Sequence, residues 1–221
     1  AIWYFGFNAG LDFNSGAPVA LTNGMLSTNE GCSTISNSNG QLLFYTDGIR
    51  VWDKSHNVMP NGTGLFGNPS STQSGIIVPK PNNPNLYYIF TVDDEAGPNG
   101  LRYSEVDLTL NGGNGDVNAN KNILLTTPTA EKISAIEHTN GNDIWVITHE
   151  WNSNNFFAYL VTPAGVNTTP ITSTVGAFHG GGNTSNAIGN LKFSPNGERL
   201  ALAQAYEPNF VEVFDFDTAT G

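Results

Sequence analysis

The sequence predicts an all-β protein in which one small sheet unit recurs along the chain. Short runs rich in Val, Ile, Tyr, Phe, Trp and Thr are separated by Asn-Gly, Asp-Gly, Pro-Asn and Gly-Gly turns, the pattern of antiparallel strands. No segment of ten or more residues shows a capped 3.6-residue apolar period, and abundant Asn and Gly disfavour helices. The third observation is an internal repeat, and its length indicates the architecture.

Four eleven-residue segments can be aligned, beginning at Glu30, Gln73, Glu131 and Ala187. Each passes from small or polar residues through an apolar stretch to a turn centred on Asn, and a second strand follows at once. A third strand comes after a polar gap. The spacings of 43, 58 and 56 residues are those of four-stranded propeller blades. A β-propeller is therefore predicted; the alternative, a β-sandwich, does not require such segments to recur in register.

The blades follow one another in a single domain over residues 1–221. Residues 2–7 and 10–13 resemble the third and fourth strands of a blade, so the N-terminal segment is expected to supply the outer strands of a closing blade. About four and a half blades of a ring of six to seven are then present. The remaining blades of the same chain, or a neighbouring subunit, would complete the ring. The expected segments are 1–28, 29–70, 71–128, 129–185 and 186–221.

The side-chain phase in the strands predicts which aromatic residues pack. Residues set among aliphatic neighbours are expected within the blade interfaces, and Trp3 and Trp151 are expected to be the more exposed tryptophans. Those placed in the interfaces are Trp52, Trp145, Tyr87 and Phe214.

The charge pattern excludes several classes of partner. Eight Lys and Arg against 19 Asp and Glu give a net charge of -11, and the eight cations are scattered, so no surface is suited to nucleic acid. No apolar run approaches the length of a membrane span, which excludes membrane insertion. Only 12% of residues are charged, whereas 29 are Asn. The surface is therefore polar but largely uncharged, and the single Cys32 is expected to be a buried hydrophobe.

The repeat register brings one group of ionisable residues together. Equivalent positions lie at similar heights on the inner strands, so Glu30, Gln73 and Glu131 are expected near the same rim of the channel, with Lys132 beside them. This cluster is the candidate ligand-binding site. Its polar groups could equally satisfy strand ends. No catalytic residue is assigned, because no nucleophile-and-base pair, nucleotide fingerprint or metal spacing is present.

Other motifs favour ordinary structural roles. The acidic loop Asp93-Asp94-Glu95 offers oxygen ligands and is a weak candidate for calcium, the only cofactor considered, although EF-hand spacing is absent. His149-Glu150 opens an HExxH-like motif but lacks the second histidine, so it is not a zinc site. His138 lies in a predicted turn. His179 precedes a glycine-rich loop without a phosphate-binding motif.

Three long stretches carry a family resemblance: WYFGFNAGLDFNSGAPVAL, EGCSTISNSNGQLLFYTDGIRVWDKSHNVMPNGTGL and SSTQSGIIVPKPNNPNLYYIFTVD. They resemble the N-terminal propeller of large secreted Bacteroidetes proteins of the gliding-motility-associated, type IX sorting class. The resemblance implies export to the cell surface or the extracellular space. It also implies O-glycosylation at Thr218, since Asp217-Thr218-Ala219 is similar to the acceptor motif of these bacteria; an ordinary strand-end turn is the alternative.

Two functions remain open from the sequence. The first is a secreted or cell-surface module for binding, adhesion or structural scaffolding, with glycan or protein partners. Its polar, aromatic surface suits hydrogen bonding and stacking on sugars. The second is a polysaccharide-active enzyme, a glycoside hydrolase or lyase, that uses the carboxylates of the rim. The fold does not decide between them, and the absence of a catalytic constellation favours the first.

Overall fold

The computed structural model describes all 221 residues, and twenty strands form five antiparallel sheets of three to five strands. The first sheet contains β1 (Ile2–Phe5), β2 (Ala9–Asp12) and β3 (Val19–Leu21); the second contains β4 (Ser33–Ser36), β5 (Leu42–Thr46), β6 (Arg50–Asp53) and β7 (Val58–Thr63). The third contains β8 (Gly75–Pro79), β9 (Leu86–Val92), β10 (Leu101–Asp107), β11 (Asp116–Val117) and β12 (Ile123–Thr126). The fourth contains β13 (Thr129–Glu137), β14 (Ile144–Glu150), β15 (Ser153–Thr162), β16 (Gly165–Val166) and β17 (Ile171–His179); the fifth contains β18 (Leu191–Phe193), β19 (Arg199–Gln204) and β20 (Phe210–Asp215).

The connectivity is that of a β-propeller, as the repeat predicts. Within each sheet, each strand pairs with the next along the chain, apart from β12 and β17, which return to pair with β10 and β15. The only helical turns are two short 3-10 segments, Asn111–Gly113 and Thr184–Ala187. All-β architecture is therefore confirmed.

The Asn-centred turns of the repeat are the hairpins between the first two strands of the second, fourth and fifth sheets. Gly40, Gly141 and Gly197 follow the turn Asn and have φ of +79°, +68° and +74°. A side chain is strained in this left-handed region, so glycine suits the position. The third sheet uses Asn82 instead, at φ +58°.

Packing between neighbouring sheets builds the core. Four main clusters of buried side chains lie at the four junctions of consecutive sheets, and no such cluster joins the fifth sheet to the first. The largest, between the third and fourth sheets, has nine buried residues. Successive side chains of a strand point to opposite faces of its sheet, so an inner sheet packs against both of its neighbours. In β9, Tyr87 and Ile89 face the second sheet, whereas Tyr88 and Phe90 face the fourth.

The predicted number of blades is wrong. The N-terminal segment does not form the outer half of another blade; it forms a separate three-stranded sheet, which makes five. Its first strand lies beside β4, the inner strand of the second sheet. The N–H groups of Ile2 and Tyr4 donate to the hydroxyls of Ser36 (3.0 Å) and Thr34 (2.9 Å). These bonds give β1 the place of an inner strand.

The aromatic residues follow the prediction with one exception. Trp52, Trp145 and Tyr87 are buried in sheet interfaces, and Trp3 is exposed. Trp151 was expected to be exposed but is buried with Ala130 and Ala187, because its turn folds against the start of β13 and the segment before β18. No helix of the chain has the length and apolar character needed to cross a membrane.

Candidate functional site

The predicted rim residues meet around the segment that links β7 to β8, residues 71–74, which we call the axial link. Gln73 carries the longest-range contacts: its Nε2 donates to the Leu191 carbonyl (3.2 Å), and its Oε1 accepts from the N–H groups of Leu191 (2.8 Å) and Ile133 (3.2 Å). Ser74 Oγ donates to the Asp47 carbonyl. The axial link therefore ties the second, fourth and fifth sheets together.

Glu131 is buried and its carboxylate is fully engaged within the chain. Oε2 accepts from the N–H and hydroxyl of Thr72 at 2.7 and 2.9 Å, and Oε1 accepts from the N–H of Glu95 at 2.7 Å. These three hydrogen-bond donors satisfy most of the acceptor capacity of the buried carboxylate. Glu131 thus anchors two loops, and this geometry leaves little of it for a ligand.

Lys132 follows Glu131 and is likewise buried. Its Nζ donates to the carbonyls of Ala187 (2.6 Å) and Ile188 (3.3 Å) in the segment that leads into β18. Burial lowers the pKa of the ammonium to about 8, although the Glu131 carboxylate acts in the opposite direction. Lys132 therefore fastens the fifth sheet to the fourth.

Glu30 is the one predicted rim residue that is exposed. Desolvation, followed by the negative charges of Glu131 and Asp94, raises the pKa of its carboxyl. The structure therefore brings Glu30, Gln73, Glu131 and Lys132 to one end of the propeller. Glu30 is the member whose carboxylate faces solvent.

The carboxylates of the candidate calcium loop point to separate partners. Asp93 accepts from the N–H of Asn99 (3.0 Å), and Asp94 accepts from the side chain of Asn68 (2.7 Å). Glu95 accepts from the hydroxyls of Thr184 and Ser185, each at 3.0 Å. Burial and the adjacent Asp93 raise the pKa of Asp94. No group of three or more acidic, histidine or cysteine side chains has the arrangement of a metal site.

A buried histidine pair is the feature that sequence reasoning missed. The rings of His149 and His179 lie 4.5 Å apart between the fourth and fifth sheets, and His179 Nε2 is 3.1 Å from the Glu212 carboxylate. Both nitrogens of His149 and Nδ1 of His179 have no partner. Burial lowers the pKa of His149 to about 3 and also lowers that of His179, so both rings are neutral at pH 7. Both histidines were visible in the sequence, but thirty residues separate them and no local pattern pairs them.

A polar cleft opens at the opposite, hairpin end of the fourth and fifth sheets. Its volume is about 550 Å³. The ring of His138 stacks on that of Trp145 at 5.8 Å and 26°, and the Trp145 indole N–H donates to the Thr218 carbonyl. Thr218, the predicted glycosylation residue, therefore lies in the cleft wall and is only partly exposed. The wall consists of Ala135, Ile136, Glu137, His138, Thr139, Gly141, Pro195, Asn196 and Thr218.

The one cysteine lacks the surroundings of a nucleophile. Cys32 is half-buried, its thiol is 3.8 Å from the Tyr4 carbonyl, and burial raises its pKa.

No protein-family model matches the chain, and no curated protein sequence matches it. Two solved structures align along nearly its whole length. A candidate 6-phosphogluconolactonase of Bacteroides uniformis is 10% identical, with 96% of this chain and 75% of that chain covered and a TM-score of 0.39. A lectin of Burkholderia pseudomallei is 14% identical, with 99% of this chain and 66% of that chain covered and a TM-score of 0.49. At these scores neither likeness bears on function, and the fold assignment rests on the five sheets themselves.

Proposed function

We propose that the chain is a binding module that holds a carbohydrate in the polar cleft between the fourth and fifth sheets. The observation that carries the proposal is the lining of that cleft. The residues that line a space of about 550 Å³ include Thr139, Asn196, Glu137 and His138. A ligand rich in hydroxyl groups suits such a lining, because each hydroxyl both donates and accepts.

The stacked pair of rings supports a saccharide over a peptide. His138 is half-buried and lies over the buried Trp145. Its Nδ1 accepts from the Asn140 N–H at 3.0 Å, which fixes the ring plane. A fixed flat ring packs well against the C–H face of a sugar, as aromatic surfaces generally do at binding sites.

The charge of the cleft selects among glycans. Glu137 is the only charged residue of its lining, and no Lys or Arg lines the wall. The whole chain carries -11. Sulfated or uronic polymers would be repelled, so a neutral oligosaccharide is the expected ligand.

Calorimetry against a panel of neutral and anionic oligosaccharides tests the proposal. His138→Ala should weaken binding of a neutral ligand at least tenfold. Lys80→Ala is the matched control and should leave affinity unchanged, because Lys80 occupies the position in the second repeat that His138 occupies in the third. A panel without any binder, or equal losses in the control, would contradict the proposal.

The site of action is proposed on the family resemblance alone. The module would be displayed on the cell surface or released, where glycans and surface proteins are available as partners, and it would serve adhesion or scaffolding. Protease treatment of intact cells of the source organism tests the location. Loss of the protein from intact cells is the expected result, and full protection would place it inside.

A second function, cleavage of a polysaccharide, has one observation in its favour. Glu30 is exposed and has a raised pKa beside Glu131 and Asp94, as a general acid requires. Incubation of the protein with polysaccharides and analysis of released sugars tests it. Turnover that disappears in Glu30→Gln would support the enzyme, and its absence on every substrate would favour the binding module.

A further inference from the structure

The chain contains eight pairs in which glycine follows asparagine, at Asn23, Asn39, Asn61, Asn99, Asn111, Asn114, Asn140 and Asn196. Glycine has no side chain to crowd its backbone nitrogen, so this nitrogen can approach the carboxamide carbon of the asparagine before it. Attack on that carbon expels ammonia and forms a five-membered succinimide, which water opens to aspartate or isoaspartate. In a folded chain the reaction requires a free glycine N–H and an asparagine side chain that can reach it.

Five of the eight pairs are held at the glycine. In these pairs the glycine N–H donates to a backbone carbonyl at 2.9–3.3 Å: Gly40, Gly100, Gly115, Gly141 and Gly197. Before the nitrogen can attack, it must lose this hydrogen bond, and the turn that the bond closes must open.

Two further pairs are held at the asparagine. Asn23 Oδ1 accepts from the Tyr4 hydroxyl (2.8 Å), and Asn23 Nδ2 lies 2.9 Å from His56 Nε2. Asn61 Nδ2 donates to the Val117 carbonyl (2.9 Å). Each carboxamide must leave these partners before its carbon can meet the nitrogen of the following glycine.

The remaining pair, Asn111-Gly112, is held at neither residue. It lies in the loop between β10 and β11, where Asn111, Gly112 and Gly113 are all exposed. Neither the Gly112 N–H nor the Asn111 carboxamide has a hydrogen-bond partner in the chain. No atom lies within 4 Å of the position that a Gly112 side chain would occupy, so the approach to its nitrogen is open.

We propose that Asn111 is a site of spontaneous modification, at which the folded protein deamidates while its fold protects the other seven pairs. The Gly112 nitrogen bonds to Cγ of Asn111, and its proton leaves with the carboxamide nitrogen as ammonia. Water then adds across one C–N bond of the ring, so the reaction needs no oxidant or reductant. Each hydrogen bond that must break first slows the other pairs about two- to tenfold.

The modification changes the loop as well as its charge. Either product adds one negative charge to a chain that already carries -11. Isoaspartate also lengthens the main chain by one carbon immediately before Gly112. The next carbonyl, that of Gly113, accepts from Lys54 Nζ at 2.8 Å, which ties the loop to the turn after β6. A longer main chain displaces this carbonyl, so the modified loop should lose its contact with the second sheet.

Peptide mapping by mass spectrometry, after incubation in mildly alkaline buffer with and without urea, tests the assignment. In the folded protein, Asn111 should convert at least tenfold faster than the asparagine of any other pair. In urea all eight should convert at similar rates, because the fold no longer distinguishes them.

Ion-exchange chromatography of the intact folded protein provides a second measurement. One acidic species should grow with time and should be absent from Asn111→Gln, because glutamine would have to form a larger and slower-forming ring. Asn114→Gln is the matched control, since Asn114 belongs to the same loop and precedes a glycine whose N–H is bonded. This variant should leave the acidic species unchanged, and circular dichroism checks that both variants are folded.

An acidic species that persists in Asn111→Gln would overturn the assignment. So would another Asn-Gly pair that converts as fast as Asn111 in the folded protein. If Asn111 stayed intact in the folded protein but converted in urea, the fold would protect this pair as well, and the proposal would be wrong.

Discussion

The third and fifth sheets contain strands of the same kind, yet they differ sharply in burial. Every residue of β9 from Tyr87 to Val92 is buried, whereas β20 alternates between half-buried and exposed residues. Both strands carry aromatic or aliphatic side chains on each of their two faces, although β20 also contains Glu212 and Asp215. The difference is that the third sheet has a neighbour on each face and the fifth has one. Burial of a strand in this fold therefore depends on whether a neighbouring sheet packs on each of its faces. The residue pattern makes the strand suitable for such packing.

The largest expected effect comes from removing a ring at the junction of the third and fourth sheets. Phe90→Ala should lower the free energy of unfolding by about 3–5 kcal/mol, because the ring is fully buried and leaves a cavity. Phe7→Ala, at a side chain that is 68% exposed, should cost about 0.5 kcal/mol or less. Urea titration at low protein concentration measures both. Similar losses would mean that the two regions are packed alike.

The second-largest effect is expected at the junction of the fourth and fifth sheets, which acid should destabilise. Burial lowers the pKa of His149 to about 3, whereas an unfolded histidine titrates near 6.5. The unfolded chain therefore binds more protons below pH 6.5, and stability falls as pH decreases from there towards 3. The contribution is about 1.4 kcal/mol per pH unit, or about 2–3 kcal/mol between pH 6.5 and 4.5.

His149→Gln provides the comparison for this titration. Urea titrations at pH 7.0, 5.5 and 4.5 should show a smaller loss of stability in the variant than in the unmodified chain. Equal losses would mean that the carboxylates, and not the histidine pair, control the acid response.

Removal of the Gln73 side chain should have an intermediate effect. Gln73→Ala leaves the N–H groups of Leu191 and Ile133 without their acceptor, at a cost of about 2 kcal/mol. Hydrogen exchange should accelerate at both amides. Gln41→Ala, at an exposed glutamine, is the control and should change neither stability nor exchange at these positions.

The smallest expected effect is at Val213, on the exposed face of β20 in the fifth sheet. Val213→Thr should change stability by about 0.5 kcal/mol or less in dilute solution, because the side chain is largely exposed. Val146→Thr places the same hydroxyl in the buried junction of the third and fourth sheets and should cost about 2 kcal/mol. Thermal unfolding of the two variants side by side measures the contrast. A large loss for Val213→Thr would show that this face is packed in the isolated chain.

Local patterns predicted the strands and hairpins because turn chemistry is a property of adjacent residues. Asn39-Gly40 and Asn140-Gly141 are such turns, and the repeat correctly indicated a propeller. Such local patterns could not predict where the first strand lies. Its position depends on the hydroxyls of Ser36 and Thr34, which lie 34 and 30 residues from their donors Ile2 and Tyr4. The number of blades was wrong for this reason.

The candidate functional site likewise depends on contacts between distant residues, which local patterns do not predict. Repeat register predicted that Glu30, Gln73 and Glu131 share one end, but it does not reveal which donors reach a carboxylate. Glu131 accepts its bonds from the axial link and from Glu95, which belong to loops without periodicity. The pairing of His149 with His179 likewise depends on where β17 ends. Tertiary placement of loops, not residue type, decides whether these polar groups are free.

The bond between Gln73 and Leu191 spans 118 positions in the chain. During synthesis the axial link leaves the ribosome long before Leu191 exists, so the first three sheets must form with their central polar groups still in water. Contacts of such sequence separation close late and slowly, because the chain between them must first be ordered. The axial link would therefore complete folding, and nascent chains that stop before residue 191 should collapse without acquiring the rigidity of the finished propeller.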